Sequence, residues 1–188
     1  MSTETSRKKQ PWWLFFTKAA LVLVPLYLAG HFASQRWSIG IDPQAQVSVL
    51  TEDGLHPRLM VIDHADHDYS RGDIVSLHLT DRAKYLIGHS GIHIQGGLNK
   101  RVAGMPGDRV EVTSAGVWVN GVHMATGLAL AHKLRTPSSE FNRTIIVAPE
   151  HYFLLGDVDN SFDSRYWGTA PADDIIGQAH VLYAEIGS

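Results

Sequence analysis

The feature that most constrains this 188-residue chain lies near its start. Residues 12–33 are apolar almost without a break (WWLFFTKAALVLVPLYLAGHFA), with Lys18 and His31 as the exceptions. As a helix those 22 residues extend roughly 33 Å, enough to cross the hydrocarbon core of a bilayer. Trp12 and Trp13 fall where interfacial aromatics belong, and Lys18 is close enough to that end to reach the headgroups. Pro25 is the expected place for a kink, which membrane helices tolerate. A cleaved signal peptide is the alternative reading. Against it, the run is long, and His31-Phe32-Ala33 lacks the small residue that a cleavage site needs first. Arg7, Lys8 and Lys9 cluster ahead of the run, so the positive-inside rule puts residues 1–11 in the cytoplasm and residues 34–188 outside. The expected organisation is therefore a cytoplasmic N-terminus (1–11), a transmembrane anchor (12–33) and one extracytoplasmic domain (34–188).

The remainder is of ordinary single-domain size, and 44% hydrophobic with 19% charged residues describes a globular chain. A net charge of −3 gives no electrostatic reason to expect a nucleic-acid partner. Without cysteine there is no disulfide, iron–sulfur cluster, cysteine zinc site or thiol nucleophile. Seventeen glycines and eight prolines indicate a turn-rich, mainly β protein.

Short apolar segments at regular spacing carry that expectation. Strands are predicted at 59–62, 74–80, 85–87, 92–95, 101–103, 109–113, 117–119, 144–147, 152–155 and 179–184. Ser114-Ala115-Gly116 closes one hairpin and Asn120-Gly121 a second, the latter being a strong tight-turn signal. Residues 38–49 form a Gly/Pro-punctuated lead-in, and 136–139 an exposed loop. No long 3.6-residue apolar repeat follows residue 34, so helices are a minor component.

Three clusters carry polar chemistry. Asp63-His64-Ala65-Asp66-His67-Asp68 has hard metal-ligand types, but strand alternation would aim them at different faces, so it reads as a solvated acidic loop and no metal is expected. In Lys100-Arg101-Val102-Ala103-Gly104-Met105-Pro106-Gly107-Asp108 a lysine precedes a rigid Gly/Pro turn. Alone it fits an exposed hairpin. The third cluster spans residues 156–168 (GDVDNSFDSRYWG) and sits behind an apolar strand. There Asp163 and Arg165 can form a charge-assisted pair, and Ser161 and Ser164 offer hydroxyls. Read with Lys100, it suggests a buried lysine whose ammonium hydrogens are held by neighbouring hydroxyls.

These segments resemble signal peptidase I, the membrane-bound family of Ser/Lys-dyad peptidases (S26). Arg71-Gly72-Asp73-Ile74-Val75 matches the family's Arg-Gly-Asp-x-Val strand start. Lys100 to Asp108 match its Lys-Arg-x-x-Gly-x-Pro-Gly-Asp box, and Ser161 to Gly168 its Ser-x-Asp-Ser-Arg-x-x-Gly box. The Ser-Phe-Asp-Ser-Arg-Tyr form and Gly-Ile-Asp-Pro-Gln at Gly40 to Gln44 look most similar to the conjugative-transfer (TraF-type) branch. The resemblance implies a mainly β, signal-peptidase/LexA-like complex β fold. It implies Lys100 as general base, Ser161 as the residue orienting it, and Asp163 with Arg165 as a structural ion pair. For the nucleophile the family shows Ser, an apolar residue, then Pro. Ser48-Val49-Leu50 matches best, with Leu50 in the proline's place and a separation of 52 residues from Lys100 that is typical of the family. Ser38 is the other candidate, and a chain without a competent serine is the third reading. Gln46 stands where many relatives carry a serine of the oxyanion hole, leaving the Ser48 backbone N–H as the proposed donor.

The function so implied is a cofactor-free endopeptidase of the bacterial inner membrane. It would remove leader peptides from exported precursors, a pilin or another conjugative-transfer component among them, with membrane lipid as its other partner. Two alternatives remain open on the same fold: an inactive, membrane-anchored assembly protein, and a transpeptidase that cyclises the pilin. A self-cleaving repressor shares the Ser/Lys fold class, but the anchor and the lack of a DNA-binding helix pair argue against it.

Overall fold

The computed structural model describes residues 11–42, 48–92, 94 and 97–186. It divides into two units, residues 1–36 and 37–188. Among its described residues the first holds a single helix, α1 (Trp12–Arg36), continuous through Pro25. It is long and apolar enough to cross a membrane over Phe15–Arg36, three residues beyond the end expected from hydropathy alone.

The second unit is mainly β, as expected. Its strands are β1 (Trp37–Ile41), β2 (His56–Asp63), β3 (Ile74–Leu77), β4 (Leu98–Gly104), β5 (Arg109–Val112), β6 (Val117–Val119), β7 (Val122–Ala125), β8 (Arg143–Ile146), β9 (His151–Leu155), β10 (Ala170–Pro171) and β11 (Ile175–Glu185). Helices α2 (Asp81–Ser90) and α3 (Ser164–Trp167) interrupt them. One antiparallel sheet runs β1-β2-β11-β3-β4-β9-β10, and a smaller one runs β7-β6-β5-β8. Alternation builds the smaller sheet: Val110, Val112, Val117 and Val119 are buried, while Arg109, Glu111 and Trp118 face outward. Asn120 and Gly121 both have positive φ (51° and 83°), the signature of the tight turn expected between β6 and β7. A core containing Val75, Val102, Phe141, Phe153, Leu154 and Tyr166 joins the two sheets.

Several expectations are corrected. Residues 85–87 are helical rather than extended. Thr80 caps α2 by accepting the Ala83 N–H, Gly91 ends it at φ 74°, and Ala83 and Leu86 bury one face at i, i+3 spacing. The same cap explains why β3 stops at Leu77 instead of continuing to residue 80. Ile92 and Ile94 lie outside any strand, and 93 and 95 fall outside the described residues. In the other direction, part of the expected lead-in is a strand: β1 pairs along β2, Trp37 opposite Asp63 through Ile41 opposite Leu59.

Candidate active site

Lys100 sits mid-way along β4, where alternation turns it inward with Leu98 and Val102 while Arg101 faces the other way. The turn that follows is pinned. Asp108 accepts from the Met105 N–H (2.6 Å), Arg71 Nη2 (2.6 Å) and Asn120 Nδ2 (2.7 Å), and Gly107 adopts φ 90°. Lys100 is only 4% exposed. Its Nζ donates to Ser48 Oγ in a close contact and to Ser161 Oγ at 3.0 Å, and Ser161 Oγ reaches Ser48 Oγ at 3.0 Å. The structure thus brings Ser48, Lys100 and Ser161 into one buried triangle. Burial pulls the Lys100 pKa down to about 8; Asp163 and Asp157 oppose that shift, and Arg165 adds to it.

The 156–168 loop is ordered from within. Asp163 caps α3 through the Arg165 N–H (3.1 Å), takes Arg165 Nε and Nη2 at 2.8 Å each, and accepts the Gly156 N–H at 3.0 Å. Arg165 is fully buried, and its other N–H groups reach the carbonyls of Thr126, Gly127, Val158, Asp159 and Ser161. A buried ion pair supplied with this many partners spends its desolvation cost on fixing one loop geometry. Ser164 turns away from the triangle, its Oγ accepting the Leu154 N–H.

Three further contributors were not singled out from sequence. Gly156 stands against the triangle: a Cβ there would lie 2.1 Å from Ser161 Oγ and 2.7 Å from Ser48 Oγ. Asp157 donates its N–H to the Ser48 carbonyl (2.6 Å) and accepts the Leu50 N–H on Oδ2 (2.7 Å). Arg101 pairs with Asp157 (2.7 Å) and donates to the carbonyls of Leu50 (2.6 Å) and Gly72 (2.8 Å). Together Asp157 and Arg101 hold the Ser48–Leu50 segment at the Ser48 carbonyl and at both backbone groups of Leu50. The available signals were the Gly-Asp step closing β9 and the arginine following the lysine.

The other candidates lie elsewhere. Ser38 is on β1, and its Oγ pairs with His64 Nε2 at 2.8 Å. Gln46 falls outside the described residues. In the 63–68 segment, Asp63 accepts from Ala65 N, Asp66 from Asp68 N, and His67 meets the Tyr69 hydroxyl. Among the described residues, no group of three or more histidines and acids is placed to hold a metal ion.

Comparison with known proteins gives the family. The description of signal peptidase, peptidase S26, matches residues 13–184. The chain belongs to the signal peptidase S26 family. It is 30% identical over 191 residues to a probable signal peptidase I-2 of Synechocystis sp., covering 96% of this chain and 79% of that one. It is 29% identical over 123 residues to signal peptidase I P of Bacillus subtilis subsp. natto, covering 62% and 60%. It also matches a crystal structure of a signal peptidase I from Enterococcus faecalis V583, at 25% identity and a TM-score of 0.37, over 63% of this chain and all of that one. S26 signal peptidases are serine peptidases, and their substrates are precursors carrying leader peptides.

Proposed function

We propose that this S26 protein is a membrane-anchored leader peptidase working through a Ser48/Lys100 dyad. Residues 12–33 anchor it, residues 1–11 face the cytoplasm, and residues 34–188 act at the outer face of the inner membrane. The observation that carries the reading is the placement of Lys100 Nζ between the hydroxyls of Ser48 and Ser161 in a buried pocket. An ordinary lysine, with a pKa near 10.4, is protonated at neutral pH and cannot act as a base. One brought to about 8 by burial is neutral in a usable fraction of molecules. Neutral Lys100 accepts the Ser48 proton as Oγ attacks the carbonyl of the scissile peptide bond. The ammonium so formed protonates the departing amine, leaving an acyl-enzyme on Ser48. Water, deprotonated by the again neutral Lys100, then releases the leader. Ser161 holds Nζ toward Ser48 throughout, while the Asp163–Arg165 pair keeps the loop bearing Ser161 rigid.

The matched boxes most resemble the conjugative-transfer branch, so the substrate is taken to be a pilin or another transfer component. Ser48 follows the apolar run by only 15 residues, the side of the membrane at which a leader-held precursor presents its cleavage site. The test is cleavage of a panel of plasmid-borne pilin precursors by full-length protein in detergent micelles, with a serine-reactive penem as a parallel label. Cleavage and label should both vanish in Ser48→Ala. Cleavage should vanish in Lys100→Ala, and wild-type kcat/KM should rise to a plateau above pH about 8. Full cleavage by either variant would refute the dyad. A wild type that neither cleaves nor labels would point to an inactive assembly protein, and a circular product to a cyclase.

A further inference from the structure

A groove of about 390 Å³ lies beside the buried triangle, between β7 and the loop after β9. Met124, Ala125 and Thr126 line one wall, and Gly156, Asp157 and Asp159 line the other. Gly156 belongs to both places: it lines the groove, and a Cβ on it would touch Ser48 Oγ. Gly156 is therefore the residue that separates the groove from the serine hydroxyl. We propose that the groove receives the substrate chain on the C-terminal side of the cleaved bond, and that Asp159 selects a cationic residue there. This rests on the proteolytic reading above.

Two features define the occupant. The first is an open strand edge. Among the described residues β7 pairs on one side only, with β6, and Val122, His123 and Met124 are exposed. A strand with one free edge accepts an extended peptide through main-chain hydrogen bonds. Its four residues offer roughly 13 Å of edge, enough for three to four substrate residues.

The second is charge. Two arginines and two aspartates line the groove, but Arg101 is paired with Asp157, and Arg165 with the buried Asp163. The Asp159 carboxylate is held by a hydroxyl instead, its Oδ1 accepting from Thr126 Oγ1 at 2.6 Å. Arg165 bonds to Asp163 and meets the Asp159 carboxylate only through space, so among the described residues Asp159 is the groove carboxylate with no cation bonded to it. A hydrophobic leader has no use for such a wall, whereas the hydrophilic chain that follows a leader does. A Lys or Arg within the first few residues after the cleaved bond would meet Asp159.

The experiment uses full-length protein and peptides identical up to the cleaved bond, with Lys, Gln or Glu at each of the next four positions. One of those positions should show a KM about 3- to 5-fold lower for Lys than for Glu, the range of a single partly exposed charge pair. Asp159→Asn keeps the acceptor for Thr126 and should erase that difference. Equal KM for all three residues, or a preference unchanged in Asp159→Asn, overturns the proposal. Fluorescence anisotropy of the same labelled peptides separates it from the catalytic reading. Asp159-dependent binding without cleavage would leave the groove assignment standing and sink the peptidase. Cleavage without charge preference would do the reverse.

Discussion

Replacing Lys100 by methionine should make the domain more stable near neutral pH. The lysine is 4% exposed, so solvent screens little of the cost of charging it. Moving its pKa from 10.5 to about 8 costs roughly 3 kcal/mol of folding stability wherever the folded lysine is still protonated. Methionine has similar length and no charge to bury. Removing Nζ takes away its bonds to Ser48 and Ser161, but those hydroxyls hold each other at 3.0 Å, so neither is stranded. The net gain should be about 1–2 kcal/mol, or roughly 2–8 °C in Tm at this chain length. Its pH dependence has a definite sign. Below pH about 8 the lysine is protonated in both states, and the wild type bears the full burial cost. Between about 8 and 10.5 the unfolded lysine holds a proton that the folded one has lost, so wild-type stability climbs with pH, and the advantage of Lys100→Met shrinks to nothing and then reverses. Other titrating groups are common to both proteins and cancel in the difference. Urea unfolding of both full-length proteins in micelles, followed by tryptophan fluorescence at pH 6, 7.5, 9 and 10, measures this. A variant that is not more stable at pH 6, or whose advantage is the same at pH 10, refutes the claim that burial depresses this lysine.

Gly156→Ala should lower the cleavage rate by roughly 100-fold or more, because its Cβ would fall 2.7 Å from Ser48 Oγ and displace the triangle. Steady-state kinetics with a urea melt on the same sample separates that loss from an overpacking cost of about 1–3 kcal/mol. Leu50→Pro removes the N–H that Asp157 Oδ2 accepts. In a kinetic double-mutant cycle Leu50→Pro and Asp157→Ala should therefore be less than additive, with a coupling of about 1–2 kcal/mol in kcat/KM. Strict additivity would show that the Leu50 N–H bond does not position Ser48.

What was legible in the sequence was local. The turn after Lys100, the Asn120-Gly121 hairpin and the Asp163–Arg165 pair each join residues close in the chain, so their chemistry shows in a short window. Residues 85–87 were misread as strand for the complementary reason. Three apolar residues carry no period, and the signals that decide, the Thr80 cap and the Gly91 stop, lie outside that triplet. The site itself is non-local. Ser48 meets Lys100 across 52 residues and Ser161 across 113, and Leu50 meets Asp157 across 107. Spacing pointed to Ser48 only through resemblance, and the leucine in the proline's place weakened it. The geometry gives that leucine a physical meaning. A proline at 50 would fix its own φ but could donate nothing, whereas the Leu50 N–H ties the segment to Asp157, which Arg101 holds in turn. Rigidity that a ring would supply within one residue is supplied here by a hydrogen bond and an ion pair to distant parts of the chain. No window around Ser48 could have displayed it.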